Sequence, residues 1–442
     1  MKIRLIPLYF QSASDPDFAN QLAALSKLLA EEAELLPPQP LGSTLPQADA
    51  VVFPQMLGEA FRRLDQFKTL GLPVLVITSE FGTVSMWDWE INQVLRSEGV
   101  TVIAPYDLDQ ARLACRLLAL RKELRTAKFI VYQDNPGEGF QASIFKRFYW
   151  WEEECTARLK ERFGLEIDRR SFRELGARAQ SIPDAQARAA WGDWQGKVPL
   201  GDISDRALLS ALKGYLAVKG DISAERSVLA AGINCLNESH FSDTTPCLAW
   251  NLLYEELGLV WGCEADTVAM LTKHLAIHGL GAKAMMTNLY PFLMGQAALK
   301  HERIPAFPPV ASQPENHILA AHCGYLGVVP QSFASEWALR RKVLAIVDEN
   351  ATAIDARLAA GPMTLLKLVP PFDRLSVVDG ELEGYAGFPG SDCLNGAVLR
   401  VPNGPRLMKD LASHHYILLA GEYRAQVDLL GQLFGLKVER IA

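Results

Sequence analysis

The sequence predicts an α/β protein with more than one domain, and three observations support this. Strand-like apolar runs alternate with helix-like segments through residues 1–126, and a second alternation begins at Lys128. Short β runs separated by Pro and Gly follow residue 326. The chain has 442 residues, too many for one compact core. We therefore predict domains at residues 1–126, 127–325 and 326–442.

Four strands, each followed by a helix, are predicted in the first domain. The predicted strands are residues 3–10, 50–53, 73–78 and 100–104, and the predicted helices are residues 18–35, 59–70, 86–97 and 108–125. Short connections between alternating elements imply a parallel sheet covered on both faces, which is a flavodoxin-like (Rossmann-like) arrangement. No G-x-G-x-x-G motif follows any of these strands, so nothing in the sequence supports dinucleotide binding.

The loop after the third predicted strand contains two tryptophans, Trp87 and Trp89. Aromatic side chains at the carboxyl end of a strand can stack on the apolar face of a sugar. Packing at a domain or subunit interface explains them equally well, and both interpretations stay open.

The second domain is predicted to continue the alternation of strands and helices. Its predicted strands are residues 128–133, 227–235, 257–261, 282–286 and 317–321, and its predicted helices are residues 145–163, 205–218, 247–256 and 264–278. Residues 164–199 have no assigned element, Thr287, Asn288 and Tyr290 are expected in a loop, and residues 304–314 look like an extended Pro-rich connector.

The last domain is predicted to be rich in β-structure. Residues 337–360 are compatible with a helix or with strands, whereas residues 364–368, 374–381 and 397–401 are short β runs that suggest a small antiparallel barrel or sandwich. A closing alternation follows, with helices at 406–412 and 423–434 and strands at 416–419 and 436–441.

Composition and charge exclude several classes of protein. The formal net charge is -7 and no long basic run is present, which argues against nucleic acid as the main partner. No window of about 18 uncharged apolar residues predicts a membrane span, and the amino terminus lacks a secretory pattern, so we expect a cytoplasmic protein. The seven cysteines are scattered without a C-x-x-C pair, which indicates reduced, mostly buried thiols.

Four candidate metal ligands fall at predicted strand ends or loop starts: Glu264, Asn288, His322 and His415. Carboxylate, amide and imidazole groups together suit a divalent ion such as Mn²⁺, whereas zinc would favour more sulfur or nitrogen. The simpler alternative is that Glu264 and Asp266 stabilise a helix amino terminus. Isolated histidines are also more often core or surface residues than ligands.

Three segments resemble the L-fucose isomerase and L-arabinose isomerase superfamily, especially its shorter fucose isomerase-like members. They are residues 263–271 (CEADTVAML), the triplet His322-Cys323-Gly324, and residues 414–421 (HHYILLAG). The resemblance implies two flavodoxin-like domains followed by a β-barrel-like domain, assembled as homotrimers or homohexamers with sites between subunits. It also implies a Mn²⁺-dependent aldose–ketose isomerisation through a cis-enediol.

Glu264, Asn288 and His415 match the metal ligands of the L-fucose isomerase pattern, in which a Glu opens the helix. His322 matches a ligand of the arabinose branch. Asn288 replaces the usual Asp, and an amide cannot take a proton near neutral pH. Three outcomes remain open: Glu264 acts alone, another acid among Glu238, Asp266 and Asp243 substitutes, or the chain binds a sugar without turnover.

The complete set of predicted site residues follows from these arguments. The candidate catalytic residues are Glu264, Glu238 and Asp266, the candidate substrate contacts are Trp87, Trp89, His240, His322 and His414, and the candidate metal ligands are Glu264, Asn288 and His415. Glu238 and His240 have a simpler alternative role as anchors of their loop. His274 and His278 are four residues apart without an H-E-x-x-H motif, so we interpret them as packing or surface residues.

Overall fold

The computed structural model describes residues 2–54, 58–78, 86–138, 147–291, 300, 310, 312–387, 391 and 394–441, except for the side chains of 86–88, 136 and 291. The fold is mixed α/β, as predicted, with parallel sheets and a closed antiparallel barrel. The chain divides into two compact units, residues 1–125 with 424–437, and residues 126–423 with 438–442. None of the described helices is long and apolar enough to cross a membrane.

The first unit is built on a parallel sheet. Its strands are β1 (Ile3–Tyr9), β2 (Ala33–Leu35), β3 (Gln39–Pro40), β4 (Ala50–Phe53), β5 (Val74–Val76) and β6 (Val102–Ile103), in the order β2-β1-β4-β5-β6 with β3 also beside β1. Its helices are α1 (Pro16–Leu28), α2 (Leu64–Lys68), α3 (Met86–Ser97), α4 (Leu108–Leu124) and the late helix Arg424–Phe434. Apolar side chains of the sheet, including Ile6, Val51 and Val74, form a buried core.

The first predicted helix is too long. It was expected to run from 18 to 35, but α1 ends at Leu28 and residues 33–35 form β2. Ala33 and Leu35 pair with Ile3 and Leu5 of β1, so sheet pairing overrides the local helix preference of this Ala- and Glu-containing segment.

A second parallel sheet lies in the second unit. It contains β7 (Lys128–Tyr132), β8 (Glu166–Arg170), β9 (Val228–Ile233) and β10 (Val260–Cys263), in the order β10-β9-β7-β8. The helices are α5 (Glu153–Phe163), α6 (Phe172–Ser181), α7 (Asp184–Gly192), α8 (Asp205–Ser223), α9 (Cys247–Leu257) and α10 (Thr267–His274). β8, α6 and α7 occupy the segment for which the sequence predicted no element.

Six antiparallel strands of the second unit close into a barrel. In chain order the next strands are β11 (Ala284–Pro291), β12 (His317–Ala321), β13 (Glu336–Arg341), β14 (Thr352–Arg357), β15 (Gly361–Val369), β16 (Arg374–Ala386), β17 (Gly396–Arg400), β18 (His415–Ala420) and β19 (Lys437–Arg440). The barrel order is β15-β18-β11-β12-β17-β16, and β16 pairs again with β15. Short helix α11 (Gly404–Asp410) precedes β18.

The pairing of these strands decides the structure of residues 337–360 and corrects the predicted position of Asn288. β13 and β14 form a separate antiparallel hairpin, so residues 337–360 adopt the β alternative. Asn288 was expected in a loop but lies inside β11, because that strand is hydrogen-bonded to β12 on one side and β18 on the other. Most of the predicted Pro-rich connector, residues 304–309 and 311, lies outside the described residues.

Candidate metal centre

Glu264 lies in a tight turn between β10 and α10. Glu264 and Ala265 both adopt left-handed backbone conformations, with φ of 55° and 50°. Asp266 caps the helix, because its Oδ1 accepts a hydrogen bond of 2.8 Å from the backbone N–H of Ala269. The helix therefore begins at Thr267, and the prediction that Glu264 opens it is wrong. Because Glu264 and Ala265 have left-handed backbone conformations, Glu264 precedes α10 and its side chain is not on the surface of that helix.

Two indole groups hold this turn in place. The Nε1–H groups of Trp150 and Trp151 both donate to the backbone oxygen of Glu264, at 3.3 Å and 2.9 Å. Both tryptophans are buried. Since left-handed non-glycine residues cost free energy, these two hydrogen bonds help to maintain the conformation that presents Glu264.

The other candidate ligands come from adjacent barrel strands. Asn288 of β11 lies directly opposite His415 of β18 and, on its other side, opposite Ala321 of β12. His322 follows Ala321 immediately. Side chains directly opposite each other in an antiparallel pair have Cβ atoms about 5 Å apart. The register therefore brings Asn288 next to His415 and within one residue of His322.

Three of the predicted ligands, Glu264, His322 and His415, lie close together. Glu264 Oε1 is 3.6 Å from His415 Nε2 and 3.9 Å from His322 Nε2. The imidazole rings of His322 and His415 have centroids 5.8 Å apart. All three side chains are buried. Donor atoms that bind one divalent ion at about 2.1 Å lie about 3–4 Å apart, so these separations fit a shared ion.

Polar atoms without partners support the same interpretation. Asn288 Oδ1, His322 Nε2 and His415 Nε2 are buried and have no hydrogen-bond partner among the described residues. An unsatisfied buried polar group typically costs about 1–3 kcal/mol. A divalent cation between them would accept the lone pairs of all three atoms. The residues present therefore fit a hard or borderline metal ion.

Asp266 orients His415. The Nδ1 atom of His415 is 2.8 Å from Asp266 Oδ2, and the Nζ atom of Lys367 is 3.4 Å from the same oxygen. A carboxylate on one ring nitrogen fixes the imidazole and directs the other nitrogen to a metal. Asp266 is fully buried and saturated by these contacts. It is therefore a positioning residue, and it is not free to exchange protons with a substrate.

The electrostatics of the cluster keep Glu264 ionised. Burial alone would raise the pKa of Glu264, but the charge of His415 and its hydrogen bond outweigh burial and lower it below the usual value. Burial acts against the charge of His415 too, yet Glu264 and Asp266 raise its pKa to about 9. His415 carries this proton between the carboxylates of Glu264 and Asp266. A bound cation would supply positive charge at the same place and would replace the proton.

Burial keeps the other two histidines neutral. It lowers the pKa of His322, and it lowers the pKa of His414 to about 3, with a further contribution from His415. His414 packs its ring 4.1 Å from that of His415 and 5.8 Å from that of Trp150. Glu264, His414 and His415 each offer a ligand atom within 4.8 Å of the others. A neutral imidazole is the form that binds a metal.

The predicted residues of the loop after β9 have structural partners. Glu238 is buried and accepts hydrogen bonds from the backbone N–H groups of Asp134 and Asn135, at 3.0 Å and 2.6 Å. Asp243 accepts a hydrogen bond of 2.9 Å from the hydroxyl of Ser210. His240 is exposed, with its ring 4.1 Å from that of Phe241. Glu238 thus anchors the loop after β7, which is the simpler of its two predicted roles.

The two predicted tryptophan contacts belong to the first unit. Trp89 lies on α3 with 62% of its surface exposed. The side chain of Trp87 and the loop at residues 79–85 lie outside the described residues. Sugar contact by these two residues stays a prediction.

Sequence reasoning missed Lys367 and the role of Trp150 and Trp151. Both tryptophans are buried, and their hydrogen bonds to Glu264 could not be inferred from the sequence. Lys367 did carry a signal, because it is a single charge inside the apolar run of β15. A buried lysine is rare without a partner, so such a position predicts a buried acid nearby.

Comparisons with known proteins identify no family. No protein-family model matches the chain, and no curated protein is similar to it. Among solved structures 24 chains match. One is a mutant of the XylFII-LytSN complex, 12% identical, which covers 65% of this chain and 86% of that chain at a TM-score of 0.14.

Proposed function

We propose that this protein is a metal-dependent aldose–ketose isomerase that acts on a small sugar through a cis-enediol. The observation that carries the proposal is the buried convergence of Glu264, His322 and His415, with Asn288 on the neighbouring strand. The nitrogen and oxygen atoms of this cluster that have no partner within the described ranges are those that a divalent cation would bind. The three sequence segments that resemble the fucose and arabinose isomerases meet at this cluster.

The strand order of the two parallel sheets supports a flavodoxin-like fold for each of them. In the first sheet β1 lies between β2 and β4, and in the second sheet β7 lies between β8 and β9. The first strand of each sheet therefore lies between the second and the third when the two-residue β3 is left aside. That order is typical of flavodoxin-like sheets, whose ligands bind at the carboxyl ends of the strands. We therefore propose two flavodoxin-like domains, a cytoplasmic location, and a homotrimer or homohexamer with sites at subunit interfaces.

Glu264, Asn288 and His415, with His322, would hold a divalent cation, for which Mn²⁺ is the best match in this set of oxygen and nitrogen ligands. When bound, the cation would stabilise the negative charge that develops on the sugar oxygens. Asp266 keeps His415 in the required orientation through its Nδ1 atom.

The proton transfers are assigned from the state of each side chain. Glu264 is ionised, so it would take the proton from C2 of the aldose and return it to C1. Asn288 cannot do so, and Asp266 and Glu238 are held by hydrogen bonds. The remaining proton would pass directly from O2 to O1 of the cis-enediol, because His322, whose Nε2 lies 3.9 Å from Glu264, would be a ligand of the cation. Glu264 would thus be the single acid–base residue in place of the usual pair of carboxylates.

A sugar-binding protein without turnover is the second candidate. The specific observation in its favour is Asn288, because the amide removes one of the two carboxylates that the isomerase pattern supplies. Such a protein would retain the pocket but lack ketose formation.

Metal content and product formation separate the two candidates. The metal bound after purification is measured by mass spectrometry, and ketose formation is then followed for a panel of aldoses with added Mn²⁺. We expect a Mn²⁺-dependent ketose product for at least one aldose. Absence of bound metal and of product across the whole panel would favour the binding protein.

Glu264→Gln tests the assigned base. The variant should keep the fold but lose turnover, because an amide cannot accept the C2 proton. Glu161→Gln is the matched control, since Glu161 is exposed on α5. Full activity of Glu264→Gln would remove Glu264 from the mechanism.

A further inference from the structure

Four cysteines from four separate segments meet next to the candidate metal centre. Cys235 follows β9, Cys247 begins α9, Cys263 ends β10, and Cys323 follows β12. Hydrogen bonding with Cys263 raises the pKa of Cys235, and hydrogen bonding with Cys247 and Cys263 raises the pKa of Cys323. All four thiols are free. Small apolar packing does not require thiols that interact with one another, so this arrangement needs another explanation.

A histidine nitrogen completes a set of metal donors at this cluster. The Nδ1 atom of His322 is 2.8 Å from Cys323 Sγ. Cys263, His322 and Cys323 each offer a donor atom within 4.8 Å of the other two. Two sulfurs and one imidazole nitrogen are donors that zinc prefers, with bonds of about 2.3 Å to sulfur and 2.0 Å to nitrogen, and zinc sites with three protein ligands keep an open fourth position.

We propose that Cys263, Cys323 and Nδ1 of His322 bind one thiophilic divalent ion, Zn²⁺, at a site separate from the oxygen-containing centre at Glu264. Cys323 is half-buried, whereas Cys263 is buried. The ion therefore has a partly open side from which to enter. Lys273 provides positive charge near the thiolates: it is fully buried, lies 3.3 Å from the ring centroid of Trp261, and interacts electrostatically with Cys263.

The two sites share one imidazole. His322 presents Nδ1 to the thiols and Nε2 to Glu264. When a neutral imidazole binds an ion through Nδ1, its proton is on Nε2. Zn²⁺ at the thiols would therefore convert His322 from a ligand of the Glu264 centre into a hydrogen-bond donor to Glu264. The zinc site rests on the sulfur geometry and does not depend on isomerase activity.

Titration of the full-length, metal-free protein with Co²⁺ tests the proposal, because thiolate ligands give cobalt an intense charge-transfer absorption. We expect a single set of thiolate and tetrahedral bands, which saturates at one Co²⁺ per chain and disappears on addition of Zn²⁺. Cys263→Ala and Cys323→Ala should each lose most of the charge-transfer intensity. Glu264→Gln should retain it, since its carboxylate belongs to the other centre.

Cys115→Ala is the matched control, because Cys115 is a buried cysteine of α4 in the first unit. It should retain the full spectrum. Circular dichroism of each variant verifies the fold. In the wild type, Zn²⁺ should also protect Cys263 and Cys323 from alkylation, as mapped by mass spectrometry, which requires no variant.

Three results would overturn the zinc site: absence of thiolate bands in the wild type, unchanged bands in both folded cysteine variants, or loss of the bands in folded Glu264→Gln. A lack of Mn²⁺-dependent isomerisation would contradict only the proposed function. The two proposals therefore fail independently.

Discussion

At the scale of single residues, Asp266 supports three different parts of the site. It caps α10 through Ala269, orients His415, and forms an ion pair with Lys367 at 3.4 Å. Burial would raise its pKa, but Lys367 and His415 hold the pKa well below the usual range. Asp266 is therefore ionised, and its charge compensates two buried cations.

Asp266→Asn should weaken both the fold and metal binding. Asparagine can still cap α10, but it leaves Lys367 as an uncompensated buried charge, and breaking such a pair costs about 3–5 kcal/mol. Loss of the carboxylate behind a ligand histidine typically lowers metal affinity about 10–100-fold. Urea denaturation measures the first effect, and Mn²⁺ calorimetry measures the second.

The double variant Asp266→Asn/Lys367→Met separates the two effects. Removing the lysine charge should recover part of the free energy of unfolding, while Mn²⁺ affinity stays low because His415 still lacks its carboxylate partner. No recovery of stability would show that the charge of Lys367 is not the cause of the loss.

Asn288→Asp should strengthen divalent-ion binding. The side-chain oxygen of Asn288 is buried and has no hydrogen-bond partner in the described part of the chain, and a carboxylate at this position adds a negative ligand opposite His415. We expect Mn²⁺ affinity to rise about tenfold, since affinity for hard cations follows ligand charge. Calorimetry with Asn288→Ala as the comparison measures the change. Equal affinity of the wild type and both variants would mean that residue 288 does not reach the ion.

At the scale of elements, the turn between β10 and α10 requires a close approach of strand and helix. A Cβ atom on Gly262 would lie 2.4 Å from Met270 Cγ and 3.3 Å from the backbone oxygen of Asp266. A Cβ atom on Gly232 of β9 would lie 2.8 Å from Met270 Sδ. Glycine at both positions lets α10 pack against the sheet, and the same packing determines where Glu264 and Asp266 lie.

Gly262→Ala should therefore destabilise the protein by about 1–3 kcal/mol, the usual cost of overpacking. It should also lower Mn²⁺ affinity, because relief of the clash displaces the turn that carries Glu264. Gly220→Ala in α8 is the control: nothing lies within 4 Å of the added methyl group, and alanine in a helix interior should stabilise by about 0.5–1 kcal/mol. Chemical denaturation compares them, and an unchanged midpoint for Gly262→Ala would contradict the close-packing argument.

Elements with strong local signals were predicted well. Helix α3 has the predicted bounds, α4 differs by one residue, and β4 coincides with its prediction. The two-residue β3 and the three-residue β2 have no periodicity long enough to detect. Their existence depends on pairing with β1, which lies elsewhere in the sequence.

At the scale of the whole molecule, acid stability should depend on a buried histidine. His274 of α10 is buried, and neither ring nitrogen has a hydrogen-bond partner among the described residues. Burial, with a smaller contribution from His278, lowers its pKa to about 3. In the unfolded chain the pKa of histidine is about 6.5, so the unfolded state binds the proton more readily.

The sign of the pH dependence follows from this difference. The contribution of His274 to stability is fully present above pH about 6.5 and is lost as pH falls toward 3, by up to about 1.4 kcal/mol per pH unit. His274→Leu should remove that part of the slope. The exposed replacement His240→Leu should not. Denaturation midpoints measured between pH 7 and 4 provide the comparison, and an unchanged slope in His274→Leu would exclude His274 as a cause.

The strands of the closed barrel could not all be identified from local sequence patterns. The sequence predicted a barrel or sandwich after residue 326, but two of the six strands, β11 and β12, come from before that point. Similarly, residues 424–437 return to the first compact unit. Neither connection has a local signal, because β11 and β12 join the barrel by pairing with the distant strands β18 and β17, and residues 424–437 join a unit formed by residues 1–125.

The sequence by itself determined the α/β character, most long elements, and the residue types of a divalent-ion site, because periodicity and side-chain chemistry are local properties. Only the tertiary structure decided that Asn288 lies in a strand opposite His415, that Asp266 is committed to His415 and Lys367, and that Cys263 and Cys323 meet beside His322. Asp266 and His415 are 149 positions apart. Contacts of this kind arise from the register of paired strands and from burial, which the whole chain sets together.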